Sequence, residues 1–323
     1  MTPPRAERIL AIKLGALGDV VQSLGPLAAI RAAHPGAELV VLTSAPFSAF
    51  YAACPGVDRV ETDPRADWRR PLAWLSVPAR IKAGGFSRVY DLQTSGRTSR
   101  YFLAMRVLPP WGRMPEWSGI APGCSHPHAN PGRNAMHTLD RQADQLRMAG
   151  IPEVPPPDVS WLAADVSGLD PGAPFVLLLP GGSPERPGKR WPAALYADFA
   201  ARLADSGILP VLLGTAADAG ACGEIAARVP AARNLCGRTS LAQVAALARR
   251  AAGAVGNDCG PMHLAAAAGC PALVLFGPES DPALCAPRGA RVAVLSTEIL
   301  AALTPQGVWD AWKRLVPVAG NGD

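Results

Sequence analysis

Residues 256–263 read Gly-Asn-Asp-Cys-Gly-Pro-Met-His. An apolar run from Ala251 to Val255 leads in, and the small residues Leu264 to Ala267 lead out. This pattern predicts a buried strand, a tight turn and a helix. Free backbone N–H groups and the positive end of the helix dipole converge at such a turn, which suits a phosphate or another anion. Gly260 and Pro261 shape the turn. Asp258 and His263 bring a carboxylate and an imidazole to the same spot.

A second stretch, Lys13-Leu14-Gly15-Ala16-Leu17-Gly18-Asp19, follows a short apolar strand and opens a helix. It is not the dinucleotide fingerprint G-x-G-x-x-G. Its glycines let a partner approach the backbone closely. Asp19 has two readings. One is a helix cap or first-turn acid worth about 0.5–2 kcal/mol. The other is a carboxylate at a strand end, placed to take a proton. Further on, Pro180 to Pro192 follows another strand. Gly181, Gly182 and Ser183 offer N–H groups and a hydroxyl to phosphate oxygens, and Lys189 offers a point charge. The plainer reading is a surface loop with ordinary basic residues. Asp218, at the opening of a helix, is placed to accept from ribose hydroxyls. Thr239 lies in a segment, Asn234 to Leu241, in which Ser240 can simply cap a helix.

Together these runs resemble the bacterial ADP-heptose:lipopolysaccharide heptosyltransferases, glycosyltransferase family 9. The resemblance spans Ile9 to about Pro287 and rests most firmly on residues 256–263 and 13–19. It implies the GT-B fold: two Rossmann-like, doubly wound α/β domains facing a central cleft. It implies an inverting, metal-independent transfer of heptose from ADP-heptose, with no cofactor besides the ADP-sugar donor. Asp19 then matches the general base, and Lys189 in Lys-x-Trp-Pro matches a phosphate-binding lysine. Gly181, Gly182, Ser183, Asp218, Thr239, Asp258, Gly260, Pro261, Met262 and His263 are expected to bind the donor. The family usually carries a glutamate where Asp218 stands. Alternatives on the same frame are an enzyme for another nucleotide sugar, such as an epimerase or hydrolase, and a non-catalytic nucleotide-sugar-binding protein.

Gly123-Cys124-Ser125-His126-Pro127-His128-Ala129-Asn130 invites a zinc reading with His137, but the spacing is not that of a closed site. An acceptor-facing loop in which His126 and His128 bind sugar or phosphate is the preferred expectation. Arg65, Arg69 and Arg97, with Gly18, are the other expected acceptor contacts. They belong to a basic set with Arg70, Arg80, Lys82, Arg100 and Arg106, interleaved with Trp68 and Trp74. The set suits an anionic glycolipid at a membrane surface. Part of it is expected to be merely solvated helix face. No nucleic-acid reader motif accompanies it.

The elements that must position these groups are legible as strand–helix alternation. Strands are predicted at Ile9–Leu14, Glu38–Thr43, Arg59–Glu61 and Arg88–Leu92, and helices at Asp19–Ala33, Pro71–Lys82 and Ser95–Val107. Residues 108–136 look like one long functional loop. The alternation restarts after Pro152 to Pro157, which reads as a linker. Two domains follow, 1–157 for the acceptor with Asp19 and 158–323 for the donor, the last helix (308–315) packing back on the first domain. The net charge of +5 is uneven, with +6 in residues 1–157 and −1 in 158–323. The basic front half can attract an anionic surface. Seven scattered cysteines fit reduced thiols. The start lacks a signal-peptide pattern, and no apolar run reaches the roughly 18 residues of a membrane span. The expected location is cytoplasmic, peripheral at the inner membrane face.

Overall fold

The computed structural model describes residues 7–67, 69–109, 113–169, 171–172, 174–183 and 185–316; Trp68 and Pro184 lie outside these. The chain divides into two compact units, Met1–Pro157 and Asp158–Asp323. Unit 1 holds strands β1 (Arg8–Ile12), β2 (Glu38–Ser44), β3 (Arg59–Asp63), β4 (Arg88–Asp91), β5 (Glu116–Gly119) and β6 (His126–Pro127). Its helices are α1 (Leu17–Gln22), α2 (Leu24–Ala33), α3 (Ser48–Ala52), α4 (Pro71–Ala83), α5 (Gly96–Val107) and α6 (Thr138–Met148). Unit 2 holds β7 (Phe175–Leu179), β8 (Leu209–Leu212), β9 (Arg233–Asn234), β10 (Gly253–Asn257), β11 (Ala272–Phe276) and β12 (Val292–Ser296). Its helices are α7 (Ala193–Asp205), α8 (Ala219–Arg228), α9 (Leu241–Arg250), α10 (Gly260–Ala267), α11 (Pro282–Cys285) and α12 (Pro305–Leu315).

Among the described residues every strand pairing is parallel, and the orders are β3-β2-β1-β4-β5-β6 and β12-β11-β10-β7-β8-β9. Counted within each unit, both are the 3-2-1-4-5-6 order of a doubly wound sheet. Strands covered on both faces must be apolar throughout, which is why β7 reads Phe-Val-Leu-Leu-Leu, all buried. In unit 1, Leu10, Ile12, Val89, Tyr101, Phe102 and Trp117 form one core. In unit 2, Val176, Leu178, Trp191, Phe199, Val255 and Trp312 form the other.

The order reverses between β1 and β4, and between β7 and β10. A crevice forms outside the carboxyl ends of strands at such a point. The register puts Ile12 beside Asp91, and Gly256 beside Leu179. Lys13 and Asp91 therefore emerge together in unit 1, and Pro180 and Asn257 in unit 2.

Two expectations change. The helix predicted over Asp19–Ala33 is two helices, α1 and α2, divided at Ser23. The Ser23 hydroxyl donates to Val20 O at 2.7 Å and bonds the Tyr51 hydroxyl at 2.8 Å. The segment 108–136 is not one loop, because it contains β5 and β6. Helix α12 packs on α7, β11 and β12 of its own unit, where Trp312 fills the space that Gly253 leaves beside β10.

Candidate functional site

The site in unit 1 is built on the turn from β1 into α1. Lys13 follows β1 and is almost fully buried. Its ammonium donates to Leu92 O at 3.2 Å and to Asp19 Oδ1 at 3.3 Å. Asp19 stands in the first turn of α1, with its side chain 40% exposed. Gly15 is at φ +129°, where a Cβ would strike Phe47 at 2.7 Å. Only glycine fits that turn. A second carboxylate, Asp91, ends β4 and is fully buried. Its Oδ1 accepts from the Thr94 N–H at 3.0 Å, while Oδ2 has no hydrogen-bond partner. Burial is the main cause that pushes the Asp91 pKa up to about 6, offset by Thr98, Thr94 and Lys13.

Beside these groups lies a cavity of about 270 Å³ with almost wholly polar walls. Lys13, Asp19, Gln93 and Thr94 line it from the β1 and β4 ends. Arg133, Asn134, Arg141 and Gln142 line it from the approach to α6 and α6 itself. Gln142 is buried, and its Oε1 has no partner. Three cations, one half-exposed carboxylate and one unsatisfied amide oxygen suit a hydroxyl-bearing anion.

In unit 2, Asn257 ends β10 fully buried and fastens the crossing point. Its amide donates to Pro180 O at 2.8 Å and Gly181 O at 3.0 Å. Its Oδ1 accepts from the Trp191 N–H and the Tyr196 hydroxyl, each at 3.0 Å. One side chain thus holds the Gly181–Ser183 turn and the segment carrying Lys189. The Lys189 ammonium meets Asp258 Oδ2 at 2.7 Å, and His263 Nε2 lies 4.0 Å from Asp258 Oδ1. Helix α10 opens at Gly260, after Cys259 at its N-cap, with Pro261 in its first turn. Gly181, Gly182, Ser183, Lys189, Asp258, Gly260 and Pro261 therefore gather around one helix N-terminus. Burial, with the charge of Asp258, pushes the Cys259 thiol up to about 12, so it is no thiolate nucleophile.

The model of glycosyltransferase family 9 (heptosyltransferase) matches residues 75–305. The chain belongs to this family. It is 30% identical over 287 residues to lipopolysaccharide heptosyltransferase 1 of Pseudomonas aeruginosa, covering 84% of this chain and 79% of that one. The structure of an Escherichia coli ADP-heptose heptosyltransferase II superposes with a TM-score of 0.75 at 24% identity, covering 96% and 98% of the two chains. An E. coli heptosyltransferase with ADP gives 0.73 at 22%, covering 95% and 99%. The protein is thus a glycosyltransferase, a heptosyltransferase of the lipopolysaccharide type by family, with the GT-B architecture.

Within this family member several of the expected residues have structural partners of their own. Met262 is fully buried, and a Cβ on Gly256 would meet its sulfur at 2.7 Å, so its side chain belongs to the core of unit 2. Asp218 closes a capping box: its Oδ2 accepts from the Thr215 N–H and hydroxyl, both at 2.9 Å. That oxygen is occupied within the turn. Thr239 is half-buried and precedes Ser240, whose hydroxyl accepts from the Gln243 N–H as the cap of α9. The Arg97 guanidinium donates to Ala66 O at 2.9 and 2.6 Å and lies 3.5 Å from Asp63, so it holds the loop after β3. Arg65 and Arg69 are exposed on that loop, and Gly18 sits in α1 beside Asp19. His126 pairs with Glu116, which starts β5, at 3.3 Å. His128 is buried against Asp144 at 2.9 Å. Cys124 donates to Gly119 O, and among the described residues no group of His, Cys, Asp or Glu could hold a metal. Lys82 is buried, donating to Met105 O and Leu108 O, not solvated.

Asp91, Gln93, Asn257, Arg133, Arg141 and Gln142 were not among the expected residues. Asp91, Gln93 and Asn257 carry a usable signal, since each stands at or just beyond the carboxyl end of a strand flanking a crossing point. The other three sit on or before α6, whose helical pattern gave no hint of which face meets Asp19. Among the described residues no helix is long and apolar enough to cross a membrane.

Proposed function

We propose that this chain moves a heptose from ADP-heptose to an anionic saccharide of a lipopolysaccharide inner core, with inversion and without a metal ion. The observation that carries the reading is the placing of Asp19 on a cavity lined by Lys13, Arg133 and Arg141. An anionic sugar held by those cations brings a hydroxyl to the Asp19 carboxylate. Asp19 takes its proton as the oxygen bonds to the anomeric carbon. The bond from that carbon to the diphosphate breaks in the same displacement, and its electron pair leaves on ADP. Attack opposite the leaving group inverts the centre.

In unit 2 the Gly181–Ser183 backbone, Lys189 and the N-terminus of α10 take up the charge on the departing diphosphate. That is the charge neutralisation a divalent cation would otherwise supply. In this reading Asp258 and His263 hold heptose hydroxyls next to the anomeric carbon that carries the diphosphate. Support for the donor comes from a related E. coli heptosyltransferase whose structure contains ADP. Support for the acceptor comes from the lipopolysaccharide heptosyltransferase names of the curated relatives. Arg65 and Arg69, exposed just beyond the carboxyl end of β3, complement an anionic glycolipid at the inner membrane face.

The test is Asp19→Asn, with heptose transfer to heptose-deficient lipopolysaccharide measured in excess chelator. Turnover is expected to fall about 10³-fold. Calorimetric ADP affinity should stay within about twofold, because the change touches no donor contact. Substantial residual turnover would remove Asp19 as the base. Loss of wild-type activity in chelator would remove metal independence, and tighter binding of UDP or GDP than ADP would overturn the donor.

A further inference from the structure

The histidine run that looked like an acceptor contact does something else. The His128 ring is fully buried, one residue beyond β6, with its backbone N–H on Gly119 O at 2.7 Å. Its two nitrogens face different partners. Nε2 lies 2.9 Å from Asp144 Oδ2 on α6. Nδ1 accepts from Arg133 Nε at 3.4 Å. Asp144 is itself held by the Asn130 amide at 2.8 Å and by an ion pair with Arg147. Arg133 then reaches the cavity that also holds Asp19 and Arg141.

Only one state of the ring satisfies both contacts. Asp144 needs an N–H, so the proton sits on Nε2. Arg133 Nε–H needs a lone pair, so Nδ1 is bare. We propose that His128 is a positioning residue: as the neutral Nε2–H tautomer, anchored by Asp144, it aims the Arg133 guanidinium into the Asp19 cavity. This rests on the acceptor reading above. It adds that capture of the anionic acceptor depends on the protonation of a residue that does not touch it.

Protonation of Nδ1 turns its N–H against the N–H of Arg133, and the arginine must swing away. The charged groups around His128 are Arg133 on its own loop, and Arg141, Asp144 and Arg147 on α6. Burial foremost, with Arg133 and Arg141, lowers the His128 pKa against the opposing pull of Asp144. The ring is therefore neutral at ordinary pH and charges only in acid. Acceptor affinity is expected to fall on the acid side as Arg133 is released.

The first experiment uses the wild-type chain. Long-range ¹H–¹⁵N spectra at pH 7.5 report the tautomer of each of its five histidines. His128 should show Nε2–H with bare Nδ1; an Nδ1–H or charged ring overturns the proposal. The second is calorimetric binding of O-deacylated, heptose-deficient lipopolysaccharide. His128→Gln keeps an N–H for Asp144 and removes the acceptor for Arg133, so affinity should drop about tenfold. His128→Asn, whose Oδ1 can accept from Arg133, should recover part of it. ADP affinity should not move in either. In an Arg133→Ala background the glutamine change should have no further effect, and the acid-side loss should be absent. A glutamine effect that persists in full without Arg133 overturns the proposal. If the wild-type chain ignores this probe, the acceptor reading fails, and the tautomer alone decides the role of His128.

Discussion

Each unit places a lysine beside an aspartate at the carboxyl ends of its central strands, and the two pairs differ in which member is open. In unit 1, Lys13 and Asp19 are 3.3 Å apart; the lysine side chain is 4% exposed and the carboxylate 40%. In unit 2, Lys189 and Asp258 are 2.7 Å apart, with 12% and 7% exposed. The first pair buries its cation and offers its carboxylate. The second closes on itself beside a helix N-terminus. Strand order is the same in both, so topology places the groups and local burial assigns their work. An open carboxylate suits proton transfer, whereas a carboxylate buried against an ammonium suits holding that ammonium for an anion.

Removing each lysine tests this contrast. Lys189→Ala leaves Asp258 buried without its partner and takes a cation from the diphosphate site. ADP affinity is expected to fall about 100-fold, the range for a hydrogen bond to a charged group. Lys13→Ala is expected to leave ADP affinity unchanged while lowering turnover, because Asp19 loses the group that fixes it. Titration calorimetry and initial rates on the two variants read this directly. Equal losses of ADP affinity in both would erase the distinction.

The loops after the first strands differ in how they are fastened. In unit 2 the amide of Asn257 alone ties Pro180, Gly181, Trp191 and Tyr196. In unit 1 the task is divided: Gln93 Oε1 accepts from the Leu14 N–H at 2.9 Å, and the Ser44 hydroxyl donates to Leu14 O at 2.6 Å. Asn257→Ala orphans several buried groups at once and should cost about 3 kcal/mol, while Gln93→Ala should cost about 1 kcal/mol. Urea unfolding of the two variants gives the comparison. Equal costs would mean that Asn257 is no keystone.

The doubly wound frame was legible because apolar strands and helical periodicity repeat along the chain, and the glycine-rich turns fall after first strands. The turns themselves were legible where the backbone dictates them, as at Gly181, Gly260 and Pro261. Partners remote in sequence were not. His128 looks like a free ligand until Asp144, sixteen residues later, folds over it. Asp218 looks wholly free for a ribose until the Thr215 turn engages its Oδ2. Met262 belongs to the most specific motif, yet Gly256 opens a space in the core that draws it inward. Strands β5 and β6 span four and two residues, too short for any alternation to announce them.

The remaining contrast concerns the residues that end the fourth strand of each unit. Unit 2 has a neutral amide there, Asn257; unit 1 has a carboxylate, Asp91, equally buried. The amide uses both ends in hydrogen bonds, whereas Asp91 Oδ2 has no partner. Burial raises the Asp91 pKa to about 6. An acid whose folded pKa lies above its unfolded value stabilises the fold most when protonated. That contribution is complete below the unfolded value of about 3.9 and lost as pH rises through the folded one. Above pH 6 the folded chain therefore carries a buried, incompletely satisfied anion. Asp91→Asn gives unit 1 the residue of unit 2, and its Oδ1 can still accept from Thr94. The variant should be more stable than wild type at pH 7.5, by an amount of order 2 kcal/mol, and the difference should shrink towards pH 4.5. Urea midpoints across that range measure it. A difference that stays constant with pH, or a variant less stable at pH 7.5, would show that the attraction between Asp91 and Lys13 outweighs the cost of burying the charge.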